Sequence, residues 1–203
     1  MVQLQAASLT KRYGKKPVFN DISFLFSGSV LGIAGANGSG KTTLLKCLTG
    51  LLKPSSGTVT WKLAEKPLQP SDLKSHIGYA APYIQLYEEL TVSENLQFLC
   101  DLGKNHVTPD LNKHLRRYDA EDFADSLFGN LSTGQQQRVK LAACTVKDPS
   151  ILILDEPGSN LDKKGKEIVE RMVEEYSQNG KMTLIASNQS DELELCNEII
   201  DLN

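Results

Sequence analysis

The stretch Gly35-Ala36-Asn37-Gly38-Ser39-Gly40-Lys41-Thr42 decides the fold of this chain. It matches G-x-x-x-x-G-K-[ST] at every fixed position, between a short apolar run that ends at Gly35 and a leucine-spaced segment from Thr42 to Leu52. Glycines let the backbone curl so that its amides face phosphate oxygens, and the first turn of a helix adds the positive end of its dipole. The stretch therefore predicts a strand, a phosphate-binding loop and a helix.

The polar side chains of this stretch have predicted contacts with a nucleoside triphosphate. Lys41 supplies a positive charge to the β and γ phosphates, Thr42 places its hydroxyl on Mg²⁺, and Thr43 donates to the α phosphate. The remaining predicted contacts come from Gly35, Asn37, Gly38, Ser39 and Gly40. ATP and Mg²⁺ are the cofactors that these residues predict.

A second motif lies about 120 residues further on, where the apolar run Ile151 to Leu154 ends in Asp155-Glu156. A buried parallel strand that ends in a carboxylate is the second half of such a phosphate site. Asp155 is predicted to orient the magnesium ion, directly or through its water. Glu156 is predicted to polarise the water that attacks the γ phosphate, a role worth about 10²- to 10⁴-fold in rate.

Hydrophobic periodicity predicts the rest of the fold. Residues 1 to 34 alternate in short runs typical of β structure, and the last third alternates strands with helices, which favours a parallel sheet covered by helices. A mostly helical block is expected between them. The predicted elements are a strand at Ile77 to Ala80, helical patterns from Val92 to Leu102 and intermittently to Phe128, helices from about Thr133 and at Lys163 to Gln178, and strands at Ile151 to Asp155, Met182 to Ser187 and Glu198 to Leu202.

The composition is that of an ordinary globular protein, and it argues against a nucleic-acid-binding, zinc-binding, secreted or membrane-spanning protein. The net charge of −3 creates no strong field toward nucleic acid. The four cysteines, Cys47, Cys100, Cys144 and Cys196, are too far apart for a zinc framework, so we expect reduced, packed thiols in a cytosolic protein. The N-terminus lacks the pattern of a signal peptide, and no apolar run approaches the ~18 residues that span a bilayer. Any membrane role is expected to come through a partner.

One motif distinguishes this chain from other nucleotide-binding proteins. The segment Leu131-Ser132-Thr133-Gly134-Gln135-Gln136-Gln137-Arg138 resembles the signature L-S-G-G-Q of ABC ATPases, and the resemblance covers nearly the whole chain. It implies that Ser132, Gly134 and Gln135 complete the ATP site of an opposite subunit in a head-to-tail dimer. The alternative is that Ser132 only caps the helix that follows.

Two further segments are similar to parts of this family. Pro157 to Asp162 resembles the D-loop, which implies that Asp162 communicates between the two sites of the dimer. Tyr13 resembles the aromatic residue that stacks on adenine, with a ring packed only against the protein as the alternative. The implied fold class is α/β: a P-loop NTPase core with a mostly parallel sheet, an N-terminal antiparallel β subdomain and an inserted α-helical subdomain. We expect residues 1–203 to form one domain, with the helical subdomain at approximately residues 85–145.

The chain departs from the family pattern at three positions. Thr133 replaces a glycine, which is expected to be tolerated because the backbone amide makes the contact. Pro82 stands where the Q-loop glutamine touches magnesium, and Gln85 is the nearby candidate to replace it. Asn188 stands at the position of the switch histidine, and an asparagine amide donates one hydrogen bond but carries no positive charge. Losing one preorganised donor costs about 10²- to 10³-fold in rate, so slow hydrolysis by the isolated chain is expected.

The resemblance implies an ATP-binding and ATP-hydrolysing subunit of an ABC membrane transporter of the small exporter type. Its spanning subunits are expected to be separate chains, and the ATPase is expected to be cytoplasmic, on the inner face of the membrane, as a homodimer or a heterodimer with another ABC ATPase. The short C-terminus after Asn188 and the proline-bearing loop are similar to the haem-exporter ATPase of cytochrome c maturation. The alternatives are a soluble non-transport ABC ATPase and an ATP-dependent dimerisation switch with little hydrolysis; no nucleic-acid partner is expected.

Overall fold

A computed structural model of the chain describes residues 1–102 and 109–202, which form two β-sheets surrounded by helices. The strands are β1 (Val2–Tyr13), β2 (Lys16–Phe26), β3 (Val30–Ala34), β4 (Ser56–Leu63), β5 (Lys66–Pro67), β6 (Ile77–Ala80), β7 (Ile151–Asp155), β8 (Met182–Ser187) and β9 (Glu198–Asp201). The helices are α1 (Lys41–Leu48), α2 (Pro70–His76), α3 (Val92–Asp101), α4 (Leu111–Arg116), α5 (Thr133–Thr145), α6 (Lys163–Gln178) and α7 (Ser190–Leu193).

The first sheet is antiparallel and has the strand order β2-β1-β4-β5. β1 and β2 form a hairpin in which Leu4 lies opposite Phe26, and both side chains are fully buried. Successive residues of a strand point to opposite faces of the sheet, and only one face of this sheet packs on the core. Leu4 and Phe26 lie on that face. The predicted N-terminal antiparallel β structure is therefore confirmed.

The second sheet is parallel, with the strand order β6-β7-β8-β3-β9. All residues of β7 and of β8 are buried, as expected for central strands that are covered on both faces. Register aligns the carboxyl ends of the three central strands: Ala34 pairs with Ser187, and Asp155 pairs with Ala186. The loops that follow these three strands therefore meet at one edge of the sheet.

The parallel sheet separates two clusters of buried side chains. The first lies on the side of the helical insert and α6, and it includes Leu96, Phe128 and Leu152. The second lies between the two sheets and α1, and it includes Phe26, Leu45 and Ile153. A fold with helices on both faces of a parallel sheet buries apolar residues in this way. The predicted α/β fold, with an antiparallel N-terminal sheet, a parallel sheet and a helical insert, is confirmed; the domain bounds of 1–203 and 85–145 remain a prediction.

The four cysteines are free thiols that pack into these clusters. Cys100 and Cys144 belong to the first cluster, Cys47 belongs to the second, and Cys196 is half-buried against the first. Burial raises the pKa of all four thiols, to about 12 for Cys144 and about 11 for Cys196. The thiols are therefore protonated at neutral pH, and the thiolate is the reactive form.

Most predicted elements in the last two thirds of the chain coincide with those of the structure, including β6, β7, β8 and α6. The first helix is shorter than predicted: it ends at Leu48 because Gly50 adopts a left-handed φ of 73° and the Thr49 hydroxyl bonds back to the carbonyl of Leu45. Part of the helical pattern predicted up to Phe128 falls on residues 103–108, outside the described residues. No helix in residues 1–102 and 109–202 has the length and apolar character needed to cross a membrane.

Candidate nucleotide-binding site

The loop between β3 and α1 curls in a way that only glycine accommodates. Gly38 and Gly40 have φ values of 85° and 105°, in the left-handed region, and a Cβ on Gly40 would lie 2.6 Å from Cγ1 of Val18. Apart from the glycine itself and its two chain neighbours, no atom of the described residues lies within 4 Å of the position where a Cβ on Gly38 would be, so the loop is open at that point. This is the geometry in which a backbone approaches a ligand closely.

Lys41 and Ser39 have side chains whose present contacts fit a phosphate ligand. Lys41 is 6% exposed, and its Nζ donates to the carbonyls of Gly35, at 2.8 Å, and Ala36, at 3.2 Å. A lysine held over its own loop is placed to exchange those carbonyls for phosphate oxygens. The Ser39 Oγ atom is buried and has no hydrogen-bond partner among the described residues. Buried hydroxyls rarely remain unpaired in native proteins, and a ligand oxygen would satisfy this one.

The predicted magnesium ligands of the two distant motifs meet directly. The Thr42 hydroxyl donates to Oδ2 of Asp155 at 2.6 Å. Burial raises the pKa of the Asp155 carboxyl, the Thr42 bond lowers it, and the nearby Glu156 charge raises it further. A threonine hydroxyl and a carboxylate are hard oxygen ligands of the kind that Mg²⁺ prefers, so the residues present fit this ion.

Glu156 lies at the start of the loop after β7, with a half-buried side chain. Its Oε1 atom is 3.5 Å from Nζ of Lys41, and its backbone amide donates to the carbonyl of Ala186 at 2.8 Å. Its φ of 48° is unusual for a residue with a side chain, and such strained backbones cluster at functional sites. The fold therefore holds a carboxylate beside the lysine of the phosphate loop.

Asn188 follows β8 and reaches the phosphate loop from the other side. Its Nδ2 atom donates to Oδ1 of Asn37 at 3.0 Å. The next residue, Gln189, faces away from the loop, because its Oε1 atom accepts a bond from Lys166. The structure thus brings Asn188 to the site, as predicted from its position after the strand, and the amide donor already lies within reach of the loop.

Tyr13 and Thr43 complete the group predicted around the nucleotide. Tyr13 ends β1 and is 60% exposed, with Nζ of Lys11 at 5.2 Å from its ring centroid. The hairpin that carries it contacts the phosphate loop through Val18, which lies against Gly40. Thr43 is half-buried on α1. The Tyr13 ring is available for stacking rather than buried in the protein, although its role with adenine stays a prediction.

The signature residues contact each other and not the phosphate loop of the same chain. The Ser132 hydroxyl accepts from the amide of Gln135, and Oε1 of Gln135 accepts from the amide of Ser132, which forms a capping box at the start of α5. A Cβ on Gly134 would lie 3.2 Å from the carbonyl of Asn160. Ser132 therefore caps α5, as the alternative interpretation expected. Its contact with the ATP site of an opposite subunit stays a prediction.

Two polar contacts connect α5 to the loop after β7. Nε2 of the buried Gln137 donates to the carbonyl of Pro157 at 2.9 Å, and Nη2 of Arg138 lies 2.9 Å from Oδ1 of Asp162. The amide of Gly165 also donates to Asp162, and these contacts lower the pKa of the Asp162 carboxyl. The signature helix and the D-loop segment are therefore joined within one chain.

The sequence missed a pair of tyrosines beside the carboxylate of Asp155. The hydroxyls of Tyr79, on β6, and Tyr83 are 2.8 Å apart. Burial raises the pKa of both phenols, and the Asp155 charge adds to the effect. Gln85, the predicted stand-in, is exposed, and its side chain makes no hydrogen bond to any described residue. In the sequence, the only sign of this pair is the spacing of four residues between the two tyrosines, beside a loop that contains proline.

Comparisons with known proteins agree with this geometry. The model of the ABC transporter family matches residues 19–159. The chain is 35% identical over 184 residues to the probable multidrug ABC transporter ATP-binding protein YbhF of Escherichia coli (strain K12), covering 88% of this chain and 32% of YbhF. It is 32% identical over 178 residues to the ABC transporter ATP-binding protein NatA of Bacillus subtilis (strain 168), covering 85% of this chain and 72% of NatA.

A solved structure is similar over almost the whole chain. CbiO1 of Clostridium perfringens, described as part of the ABC transporter complex CbiONQ, is 29% identical, with a TM-score of 0.78. The superposition covers 98% of this chain and 83% of CbiO1. By contrast, this chain spans only about a third of the length of YbhF.

Proposed function

The chain belongs to the ABC transporter family of ATP-binding proteins, and from this premise we propose that it hydrolyses ATP with Mg²⁺ as a dimeric subunit that energises membrane-spanning transport subunits. The observation that carries the proposal is the meeting of two distant motifs at the carboxyl ends of β3 and β7. There Thr42 bonds Asp155, and Lys41 lies 3.5 Å from Glu156.

Each of these residues has a distinct task in the proposed reaction. Lys41 exchanges its loop carbonyls for the β and γ phosphate oxygens, and backbone amides of the loop hold the other phosphate oxygens. Thr42 and Asp155 hold Mg²⁺, whose charge neutralises the phosphate oxygens when it is bound. Glu156 orients the attacking water, and Asn188 donates a neutral hydrogen bond toward the γ phosphate.

The proposed dimer is head-to-tail and follows from the position of the signature residues. Ser132, Gly134 and Gln135 lie at the start of α5, where the backbone amides of Thr133 and Gly134 and the positive dipole end suit an anion. Ser132 and Gln135 each accept a bond from the other's backbone amide, and no hydrogen bond of the described residues joins them to the phosphate loop of their own chain, so a phosphate bound there would belong to the opposite subunit. Homodimers and heterodimers with another ABC ATPase are both compatible with this arrangement.

A separate membrane-spanning partner is proposed on the basis of a cleft beside β6 that is lined by both apolar and charged side chains. The cleft has a volume of about 890 Å³, and its lining includes Ile84, Leu86, Leu99 and Leu102. Membership of CbiO1 in a transporter complex supports such a partner, and the multidrug description of YbhF supports an exporter. The chain would then act at the cytoplasmic face of the membrane. The narrower similarity to a haem-exporter ATPase stays a prediction.

The test is ATP-dependent dimerisation and phosphate release by the purified chain, with and without magnesium. Glu156→Gln is expected to bind ATP, to form a stable dimer and to release phosphate at least about 100-fold more slowly than wild type. Glu174→Gln is the matched control, because Glu174 is exposed and bonds only Gln178 within the described residues, on the outer surface of α6. It is expected to behave as wild type.

One alternative function has an observation in its favour. The neutral Asn188 already bonds Asn37, which favours an ATP-dependent clamp that dimerises with little hydrolysis. If wild type binds ATP, never turns over and forms the same dimer as Glu156→Gln, the clamp replaces the transport ATPase. If neither protein binds ATP, both functions are wrong.

A further inference from the structure

Glu192 is a carboxylate that the fold buries outside the phosphate loop. It belongs to α7 and is 4% exposed, and its Oε1 atom accepts a hydrogen bond from the backbone amide of Gly158 at 2.7 Å. Its Oε2 atom is also buried and has no hydrogen-bond partner among the described residues. Carboxylates are rarely this buried, because an ionised group loses its hydration, and burial raises the pKa of this one. The bond to Gly158 compensates part of that cost.

This bond joins the loops that follow two neighbouring strands of the parallel sheet. Gly158 lies in the loop after β7, two residues beyond Glu156. Glu192 lies after β8, four residues beyond Asn188. β7 and β8 pair in parallel, so both loops start at the same edge of the sheet. The bond therefore fixes the loop that carries the proposed catalytic carboxylate to the segment that carries the proposed γ-phosphate donor.

Both partners of this bond are held in place. Nζ of Lys166, on α6, donates to Oε1 of Gln189 at 2.7 Å and to Oδ2 of Asp191 at 2.8 Å. These two bonds anchor the segment around Glu192 to a long helix. On the other side, a Cβ on Gly158 would lie 2.4 Å from Oε1 of Glu192. No side chain fits there while the carboxylate keeps its position, so the loop approaches Glu192 as closely as glycine allows.

We propose that Glu192 is a positioning residue for the loop after β7, which it holds through the Gly158 amide in the shape that ATP-dependent dimerisation requires. The inference rests on the proposed function, in which the chain forms a head-to-tail dimer, and on the predicted role of the D-loop segment, residues 157–162, in that dimer. Without its acceptor, the buried Gly158 amide has to turn toward another partner or water, and the segment moves with it. Lys41 and Thr42 make their hydrogen bonds elsewhere, so ATP binding to the single subunit does not need Glu192.

The test uses Glu156→Gln as the background, because this variant is expected to keep ATP bound in a stable dimer. The affinity of the single subunit for mant-ATP is measured by fluorescence, and the dimer dissociation constant at saturating ATP and magnesium is measured by sedimentation velocity. Adding Glu192→Ala removes a hydrogen bond to a carboxylate, so dimerisation is expected to weaken about 10-fold or more, whereas mant-ATP affinity stays within about twofold. Adding Glu192→Gln instead should keep dimerisation within about threefold of the background, since its amide oxygen can accept the Gly158 bond.

Two further variants make the result specific. Gly158→Ala breaks the same contact while the buried carboxylate remains, so it tests the contact even where Glu192→Ala fails to fold. It is expected to weaken dimerisation as well, and the double variant no more than the stronger single one, since both changes remove one contact. Glu194→Ala is the matched control: the side chain of this exposed neighbour makes no hydrogen bond to any described residue, and dimerisation should not change.

Unchanged dimerisation in both Glu192→Ala and Gly158→Ala would overturn the inference. A Glu192→Gln variant that dimerises as weakly as Glu192→Ala would also overturn it, because the acceptor oxygen would then be irrelevant. A loss of mant-ATP affinity equal to the loss of dimerisation would show a general defect of the fold and not a positioning role. A background variant that stays monomeric with ATP would contradict the proposed function, and the inference with it.

Discussion

Replacing Asn188 with histidine is expected to speed ATP hydrolysis by the isolated chain about 5- to 30-fold. The Asn188 amide lies 3.0 Å from Oδ1 of Asn37, so a side chain at this position already reaches the phosphate loop. A neutral hydrogen bond contributes about 1 kcal/mol net, and one to or from a charged group about 1.5–3 kcal/mol. Taking about 2–3 kcal/mol for the charged bond leaves about 1–2 kcal/mol at the transition state, which corresponds to about 5- to 30-fold in rate.

The assay is steady-state phosphate release at saturating ATP, at pH 6 and at pH 8. Histidine has an ordinary pKa of about 6.5, whereas an amide does not titrate, so the ratio of variant to wild type should be larger at pH 6. Asn188→Ala is expected to be slower than wild type. Gln189→His is the matched control, because residue 189 is bonded to Lys166 and faces away from the loop. A ratio within twofold of one at both pH values would refute the reasoning.

Two further predictions concern stability. Gly78→Ala should lower the free energy of unfolding in urea by about 3 kcal/mol or more, because its Cβ would lie 1.9 Å from the backbone carbonyl of Cys144. Gly180→Ala is the matched comparison, and it should lower the free energy of unfolding by only about 1–2 kcal/mol, because its Cβ would meet open space and only its φ of 67° is unfavourable. Equal losses of stability in the two variants would contradict the argument. Asp155→Asn should raise the thermal midpoint of the metal-free chain at pH 7, because burial raises the pKa of Asp155 and the ionised form then costs stability above the ordinary carboxyl pKa of about 3.9. The gain should vanish below that pH, and an unchanged midpoint at pH 7 would show that ionisation of Asp155 costs the fold nothing.

The parts of the site that the sequence could predict are those encoded by short contiguous motifs. The phosphate loop and the Asp155-Glu156 pair each follow an apolar strand, and parallel strands bring their carboxyl ends to one edge. Thr42 and Asp155, 113 residues apart, therefore meet as predicted. The position of Asn188 follows from the same rule, since it comes directly after β8.

The parts that the sequence could not predict depend on how irregular loops fold back. The hydroxyls of Tyr79 and Tyr83 pair in the loop after β6, and Lys140 holds that loop at the carbonyl of Pro82; neither contact follows from periodicity. Gln85 is only two residues from Tyr83 but is exposed, so proximity in sequence was a poor guide to a ligand in this loop. The capping box between Ser132 and Gln135 satisfies a local pattern, whereas any contact with an opposite subunit depends on a second chain.

The burial of Cys47, Cys100 and Cys144 gives the chain an internal reporter of unfolding. Because Cys47 lies in the cluster between the sheets and α1, and Cys100 and Cys144 lie in the cluster under the helical insert, alkylation of each thiol requires the opening of its own cluster. Mass spectrometry after brief exposure to a thiol reagent in mild denaturant would then distinguish opening of the insert from opening of the nucleotide-binding half. Such labelling uses the natural sequence, so it requires no introduced cysteine that could disturb the site.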